Sequence, residues 1–408
     1  MHSSGSIIKV IHIITDLSTG GAETMLYRAL SRMDTGRFQN EVISLTSLGS
    51  IAQKIRARGV PVRALGMKRG IPNPFLFLRL IQWIRRSKPQ IVQTWMYHAD
   101  LIGGLAAYLA GESRLVWNIR QANLDPKWNK PLTIWTAKIC ALISSWLPAC
   151  ILSCSQAALV LHSRVGYAAR NMKLIPNGFD LEEFRPDPEA RLSLRNELGL
   201  PKDTLIIGMA ARFHAVKGHR NFIQAAARLH ATIAEAHFAL CGPGVDRDNK
   251  ELYKWVVEAG LDAHCHLLGT RQDLTRLFSA MDIFTSPSVS EAFPSVVGEA
   301  MACGTPCVVT DVGDSALIVG ESGIVVPPEN PDALAEAWGK LIEAGPDVRR
   351  RLGTAARCRV QQHFSLSVAV ERYQTIYAQL AGTAQSDMPS PGFAKMPNRP
   401  SVLGASKD

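Results

Sequence analysis

Short apolar runs recur along the chain, and the stretches between them carry apolar residues at helical spacing. Lys9–Thr15, Asn40–Leu45, Val60–Ala64, Gln90–Trp95, Leu115–Ile119 and Ala149–Ser153 read as buried strands. A second series follows at Leu205–Ala210, His237–Cys241, Cys265–Leu268, Ile283–Ser286, Pro306–Thr310 and Gly323–Val326. Strand–helix alternation of this length predicts parallel sheets with helices on both faces, and two series predict two doubly wound α/β domains. Turn chemistry at Pro176-Asn177-Gly178 and the proline pair in Phe184-Arg185-Pro186-Asp187-Pro188 mark the break. The expected organisation is a first domain over 1–178, a linker over 179–203 and a second domain over 204–365. A final helix over 366–380 and a flexible Pro/Ser/Gly/Lys-rich tail over 381–408 complete it. No sequence repeat is visible.

Composition narrows the class. The 408 residues are 47% hydrophobic, enough for real cores and against global disorder. Eight scattered cysteines form no CxxC pair, and buried free thiols in a reducing cytoplasm suit them better than zinc ligation. The triplet His264-Cys265-His266 cannot turn all three side chains to one metal if it lies on a strand, where neighbours alternate faces. Neither a signal peptide nor a membrane span is expected. The best span candidate, Ile139–Cys154, is too short and is interrupted by Pro148, and it reads as a helix end, a turn and a buried strand. The expected location is cytoplasmic, soluble or peripheral on the inner face of the membrane.

Charge is lopsided. Residues 1–180 carry a net +14 and residues 181–380 a net −5. A basic first half suggests an anionic partner; no nucleic-acid-binding motif is apparent, so an anionic membrane surface is the expected one. The segment PFLFLRLIQWIRRSK at 74–88 suits an interfacial helix on anionic lipid, and equally a core-packed helix with a solvated basic edge.

In open parallel sheets ligands bind beyond the carboxyl ends of the strands, and several candidate residues fall there. Gly20-Gly21-Ala22-Glu23 opens a helix after the first strand, where backbone can approach an anion closely. It lacks the full GxGxxG pattern, which counts against a nicotinamide-dependent enzyme. His98 follows the strand ending at Trp95 and could contact a substrate hydroxyl or be structural. Arg212 and Lys217, on a loop after the first strand of the second domain, suit a diphosphate: arginine forks onto oxygens and lysine supplies a compact charge. Fixed cations at a departing diphosphate stabilise the transition state more than the ground state. The densest stretch runs from Ser290 through Glu291, Phe293, Pro294, Ser295 and Glu299 to AMACGTPCVVT. Pro294 suits a helix first turn and Gly304 its end, with Glu291 on the preceding loop and Glu299 inside the helix as acceptors for sugar and ribose hydroxyls.

This stretch, Ser290–Thr310, resembles the signature of glycosyltransferase family 4, whose two glutamates lie eight positions apart as Glu291 and Glu299 do. The resemblance extends to Gly20-Gly21-Ala22-Glu23, WMYHADL around His98, IPNGFD at 175–180, ARFHAVKG and LCGPG, over roughly residues 7–380. It implies a GT-B fold, two Rossmann-like domains facing across a cleft that closes over the substrates, with the last helix crossing back to the first domain. It implies a retaining transfer from a nucleoside diphosphate sugar, expected to be a UDP-sugar, to a saccharide or lipid-linked saccharide acceptor in bacterial surface-polysaccharide assembly. Arg212 and Lys217 would hold the diphosphate, Glu299 the ribose, and Glu291 the donor sugar. The backbone N–H groups of Phe293 to Ser295 would lie near sugar and phosphate. His98 would contact the sugar from the first domain, Gly20 and Gly21 would line the phosphate side, and the base would rest near Gly269, Thr270 and Arg271. Front-face attack, with the leaving phosphate taking the acceptor proton, would need no protein base. No metal cofactor is expected. Asp246-Arg247-Asp248 is formally a DxD, but its place after Gly242-Pro243-Gly244 suits helix capping. Acceptor specificity is expected to depend on loops such as 66–74 and 120–131.

Three other readings stay open. A glycosidase holds its carboxylates ~5–9.5 Å apart; eight residues would separate these by ~12 Å if Glu291 joined the helix, and by less from a loop, so spacing disfavours hydrolysis without excluding it. A nucleotide-sugar epimerase would act with no acceptor. A non-catalytic binding protein on the same scaffold would be expected to have lost some of Glu291, Glu299, Arg212, Lys217 and His98, and all five are present.

Overall fold

The computed structural model describes residues 7–383 apart from Arg69, Pro72 and Ser113. The expected tail lies outside the described residues from position 384, as do parts of the 66–74 loop. The chain divides into two compact units. The first runs to Gly178 and takes up the chain again from Leu366; the second covers Phe179–Ser365.

In the first unit, β1 (Ile8–Ile14), β2 (Phe38–Ser44), β3 (Val62–Ala64), β4 (Ile91–Trp95), β5 (Leu115–Ile119), β6 (Cys150–Ser153) and β7 (Met172–Leu174) form a sheet of order β3-β2-β1-β4-β5-β6-β7. Every pairing is parallel. Because successive strand residues face opposite ways, Val10 and Ile14 of β1 enter one core and Ile11 and Ile13 the other. The first core is closed by the helix Leu366–Ala381, through Leu366, Ala369, Val370, Tyr373, Ile376 and Tyr377. The chain therefore ends its described path in the unit where it began. Tyr377 donates to Gln93 Oε1, and Asn118 Nδ2 donates to Tyr373 Oη at 3.1 Å. The segment 74–88 forms the helix Pro74–Ser87, which packs through Leu80, Ile81 and Ile84 and leaves Phe75 and Leu78 exposed.

His12 of β1 is buried beneath this layer. Its Nδ1 accepts from the Trp95 indole N–H at 3.4 Å and its Nε2 faces Asn40 Oδ1 at 3.1 Å. An indole can only donate, so Nδ1 carries the lone pair, Nε2 carries the proton, and the ring is neutral. Burial lowers its pKa from 6.5 to about 4, opposed in part by the Asn40 hydrogen bond. Protonation thus favours the unfolded chain: stability is full above pH 6.5 and is lost as pH falls towards 4. The loss from this ring alone is on the order of 3 kcal/mol. The urea midpoint should fall between pH ~7.5 and ~5, and by less in His12→Gln; equal midpoints for the parent would refute this.

In the second unit, β8 (Ile206–Ala210), β9 (His237–Cys241), β10 (Cys265–Leu267), β11 (Ile283–Ser286), β12 (Cys307–Thr310) and β13 (Gly323–Val326) form a sheet of order β10-β9-β8-β11-β12-β13, again parallel. Its core centres on Phe222, Phe238 and Trp338, whose indole N–H donates to Thr285 Oγ1 at 2.9 Å. In both sheets the strand order reverses beside the first strand, at β1/β4 and at β8/β11, which opens a crevice at their carboxyl ends.

Several expectations need correction. Residues 179–203 are not a linker: they carry the helix Ala190–Leu198 and belong to the second unit, anchored by Phe179, Phe184 and the fully buried Arg195. β7 was not foreseen. Most other strand ends shift by one or two residues. Asn249, not Asp246, caps the helix Lys250–Glu258; Asp246 instead accepts from the Asp248 and Asn249 N–H groups in a turn. Seven of the eight thiols are buried, but Cys358 is exposed. Among the described residues no helix is long and apolar enough to cross a membrane.

Candidate functional site

The second unit gathers most of the candidates on the loops that leave β8, β9, β11 and β12. After β8 the chain passes exposed Arg212, a short 3-10 turn Ala215–Lys217, and Gly218 at φ +74° before the helix His219–His230. Gly218 is required: a Cβ there would lie 2.0 Å from the Pro287 carbonyl oxygen. That close approach presses the Lys217 turn against the loop after β11, and the Val289 N–H donates to Val216 O at 2.9 Å. Across this junction Lys217 Nζ meets Glu291 Oε1 at 2.5 Å, and Ser288 Oγ donates to the same oxygen at 2.8 Å. The two residues thus form a single ion-paired unit. Two donors on one oxygen make Glu291 an acceptor carboxylate of fixed direction.

The loop carrying Glu291 is held from behind. Thr310 Oγ1 donates to Ser288 O at 2.5 Å. Gly313, at φ +56°, lies against it so closely that a Cβ would sit 2.3 Å from Glu291 O, and the Asp314 N–H donates to Ala292 O at 3.0 Å. Pro294 precedes the helix Ser295–Ala302, which ends at Cys303 and Gly304 (φ +79°). Phe293 is buried and stacks on Phe179 with centroids 6.1 Å apart; Gly298 lets that ring approach, since a Cβ there would overlap it at 2.1 Å. Glu299 is buried in the second turn of this helix.

Two site expectations change. Pro294 has no N–H, so a donor row from Phe293 to Ser295 is interrupted; Pro294 fixes the backbone instead. The Arg271 guanidinium is already committed, with Nη1 to Glu197 Oε1 at 2.7 Å and Nη2 to Asp273 Oδ2 at 2.9 Å, while Arg276 joins both carboxylates. These arginines hold Asp273 and Glu197 below the usual carboxylate range, chiefly through the Arg271 hydrogen bonds. Gly269 spends both backbone groups on the loops of β9, its N–H to Val245 O and its oxygen from the Gly242 N–H, each at 2.8 Å. Only Thr270 of the three is exposed.

The first unit holds the other candidates. His98 is the second residue of the helix Tyr97–Ala110, entered through Met96 at φ +75°, a strained conformation for a side chain of this kind. Behind it, Thr94 Oγ1 donates to the buried Asp100 at 2.5 Å, and Tyr97 Oη lies 2.7 Å from His162 Nε2. Burial raises the Asp100 pKa. Gly20 and Gly21 begin the helix Gly21–Arg32; a Cβ at Gly21 would meet nothing within 4 Å, so packing does not demand glycine there. Sequence reasoning missed Ser288 and Gly313, although Ser288 stands three residues before Glu291 and Gly313 just past β12. It also missed Arg120, at the carboxyl end of β5, which donates to Asn177 and stacks over Trp95 with its guanidinium carbon 5.6 Å from the ring centroid. Among the described residues no group of three or more His, Cys, Asp or Glu side chains is placed to hold a metal ion.

Comparison with known proteins agrees with this architecture. Residues 19–183 match Glycosyltransferase Family 4 and residues 191–359 match Glycosyl transferases group 1. The UDP-Gal:alpha-D-GlcNAc-diphosphoundecaprenol alpha-1,3-galactosyltransferase of Escherichia coli is 23% identical over 392 residues, covering 92% of this chain and 98% of its own. EpsF of Bacillus subtilis (strain 168) is 27% identical over 316 residues, 74% of this chain and 79% of its own. Among solved structures, HepE of Anabaena in complex with UDP superposes with a TM-score of 0.80 at 22% identity, covering 91% of this chain and all of that one. Two parallel doubly wound units with these loops define a glycosyltransferase of the GT-B class. The chain belongs to glycosyltransferase family 4.

Proposed function

We propose that this enzyme transfers a sugar, with retention, from a UDP-sugar to a saccharide or lipid-linked saccharide in surface-polysaccharide assembly. The observation that carries the donor reading is the cationic loop after β8: exposed Arg212, and Lys217 bound at 2.5 Å to Glu291. Arg212 and Lys217 neutralise the departing diphosphate, Glu291 orients the donor sugar and Glu299 takes the ribose. Thr270 and the backbone beside it meet the base. His98 contacts the donor sugar, while Gly20 and Gly21 serve the phosphate side. The bond from the anomeric carbon to the β-phosphate oxygen breaks and the bond to the acceptor oxygen forms on the same face. The acceptor proton passes to the departing phosphate oxygen. Arg212 supplies a cation uncommitted among the described residues, and Lys217 adds its ammonium by turning from Glu291 to the phosphate, so the reading calls for no metal.

The choice of UDP draws on HepE, solved with UDP and with UDP-glucose, and on the Escherichia coli enzyme, named for UDP-galactose and a diphosphoundecaprenol acceptor. The strongly basic first half suits work beside an anionic membrane. A thermal-shift screen against UDP-, GDP- and ADP-sugars should single out UDP-sugars, and the anomeric configuration of the product by NMR should match the donor. A melting shift with GDP- or ADP-sugars alone, or an inverted product, would reject the respective part.

A further inference from the structure

We propose that the outward face of the helix Pro131–Ile143, continued by Trp146, is the surface by which this chain rests on an anionic lipid bilayer. This deepens the membrane-side part of the functional reading and rests on it.

The helix is inverted in polarity. Its buried positions are the small residues Thr136, Ala137, Cys140 and Ala141. Its outward positions are large and apolar: Leu132 54% exposed, Trp135 63%, Ile139 42% and Leu142 79%, followed by Trp146 at 56%. These fall at i, i+3, i+7, i+10 and i+14, one straight stripe along the helix. An ordinary surface helix turns such a stripe towards the core. Single exposed leucines need no explanation, whereas a contiguous apolar stripe does. The stripe does not stop at the helix end, because Trp146 packs edge-on to exposed Tyr108 with centroids 5.7 Å apart.

Charge selects the occupant. From Pro126 to Phe179 the sequence has six lysines and arginines and no aspartate or glutamate. Lys138 lies in the exposed face with its ammonium 5.4 Å from the Trp135 ring centroid, and Lys127 sits 4.7 Å from that of Trp128. Lysines whose stems lie along apolar surface, beside indoles that favour headgroup depth, match a bilayer carrying negative phosphates. A second copy fits poorly, because an isologous contact would set this cationic face against itself.

The full-length chain is sedimented with vesicles of phosphatidylcholine alone and of phosphatidylcholine with phosphatidylglycerol. The parent should bind the mixed vesicles, and Trp135→Ser/Leu142→Ser should bind them at least about tenfold more weakly. Lys138→Glu should lose part of the preference for phosphatidylglycerol. The melting shift with UDP should be the same in all three proteins, which separates a lost surface from a lost fold or donor site. Brominated lipid should quench the parent's tryptophan emission, and Trp135→Phe/Trp146→Phe should still sediment while losing that quenching. Undiminished binding of the serine variant would overturn this surface while leaving membrane association intact. Indifference of the parent to phosphatidylglycerol would overturn both. A parent dimer, dissociated by the serine substitutions and blind to vesicles, would assign the face to a second copy and overturn the lipid.

Discussion

Replacing Arg212 by alanine should lower turnover with a UDP-sugar on the order of 10²-fold, comparable to the loss of one preorganised transition-state donor. The melting temperature should hardly change. Arg212 is exposed and makes no side-chain hydrogen bond or ion pair among the described residues, so the fold does not lean on it. Its cost should appear in kcat more than in KM, because negative charge on the diphosphate grows as the sugar–phosphate bond breaks. Arg212→Lys keeps the charge but loses the fork and should recover only part of the rate. Lys217→Ala makes a different defect. It removes a cation and also frees Glu291 from its 2.5 Å partner, so the sugar contact should loosen as well. Lys217→Ala and Glu291→Gln should accordingly be non-additive, each destroying the same pair. Parental kcat in Arg212→Ala would reject the diphosphate role.

That pairing shows where sequence reasoning ended. Lys217 and Glu291 were each legible as donor-site residues, because each follows a recognisable strand and carries suitable chemistry. Their mutual contact spans 74 residues and depends on Gly218 letting two loops touch, which no local pattern announces. Arg271 shows the same limit: the sequence places it beside the expected base, but not its contact with Glu197, also 74 positions away, which holds its guanidinium. The strands were largely legible: β5, β9, β11 and β13 begin and end where the apolar runs do, since buried parallel strands are continuous apolar segments. β7 is three half-buried residues, Met172-Lys173-Leu174, too short to show a period. The helix Ala190–Leu198 hid behind Pro186 and Pro188 and a polar composition. Its inward face is built on an arginine, which a hydrophobic count scores as surface.

That arginine sets the second large effect, on stability rather than rate. Asp282→Ala should destabilise the second unit by about 3–5 kcal/mol, the cost of stranding a buried charge. Arg195 is fully buried, and burial pulls its pKa down to about 10 despite its partner. Its donors are all engaged: Nε and Nη2 with Thr204 O, Nη1 with Arg191 O and Ala280 O, and Nη2 with Asp282 Oδ2 at 2.7 Å. The same carboxylate oxygen accepts from the Ile206 N–H at 2.9 Å, which is the first residue of β8. Asp282 therefore ties the supposed linker to the strand that presents Arg212. Removing it leaves a cation without a counter-charge and an orphaned backbone N–H. Asp282→Asn keeps an acceptor and should cost less, and Arg195→Met/Asp282→Leu should be far milder than Asp282→Ala, since no buried charge remains unpaired and only the half-exposed Arg191 loses its partner. Denaturant melts of the full chain, followed by tryptophan emission, rank the three. A midpoint for Asp282→Ala within about 1 kcal/mol of the parent would mean that water reaches the Arg195 guanidinium and that the helix Ala190–Leu198 is not anchored by this pair.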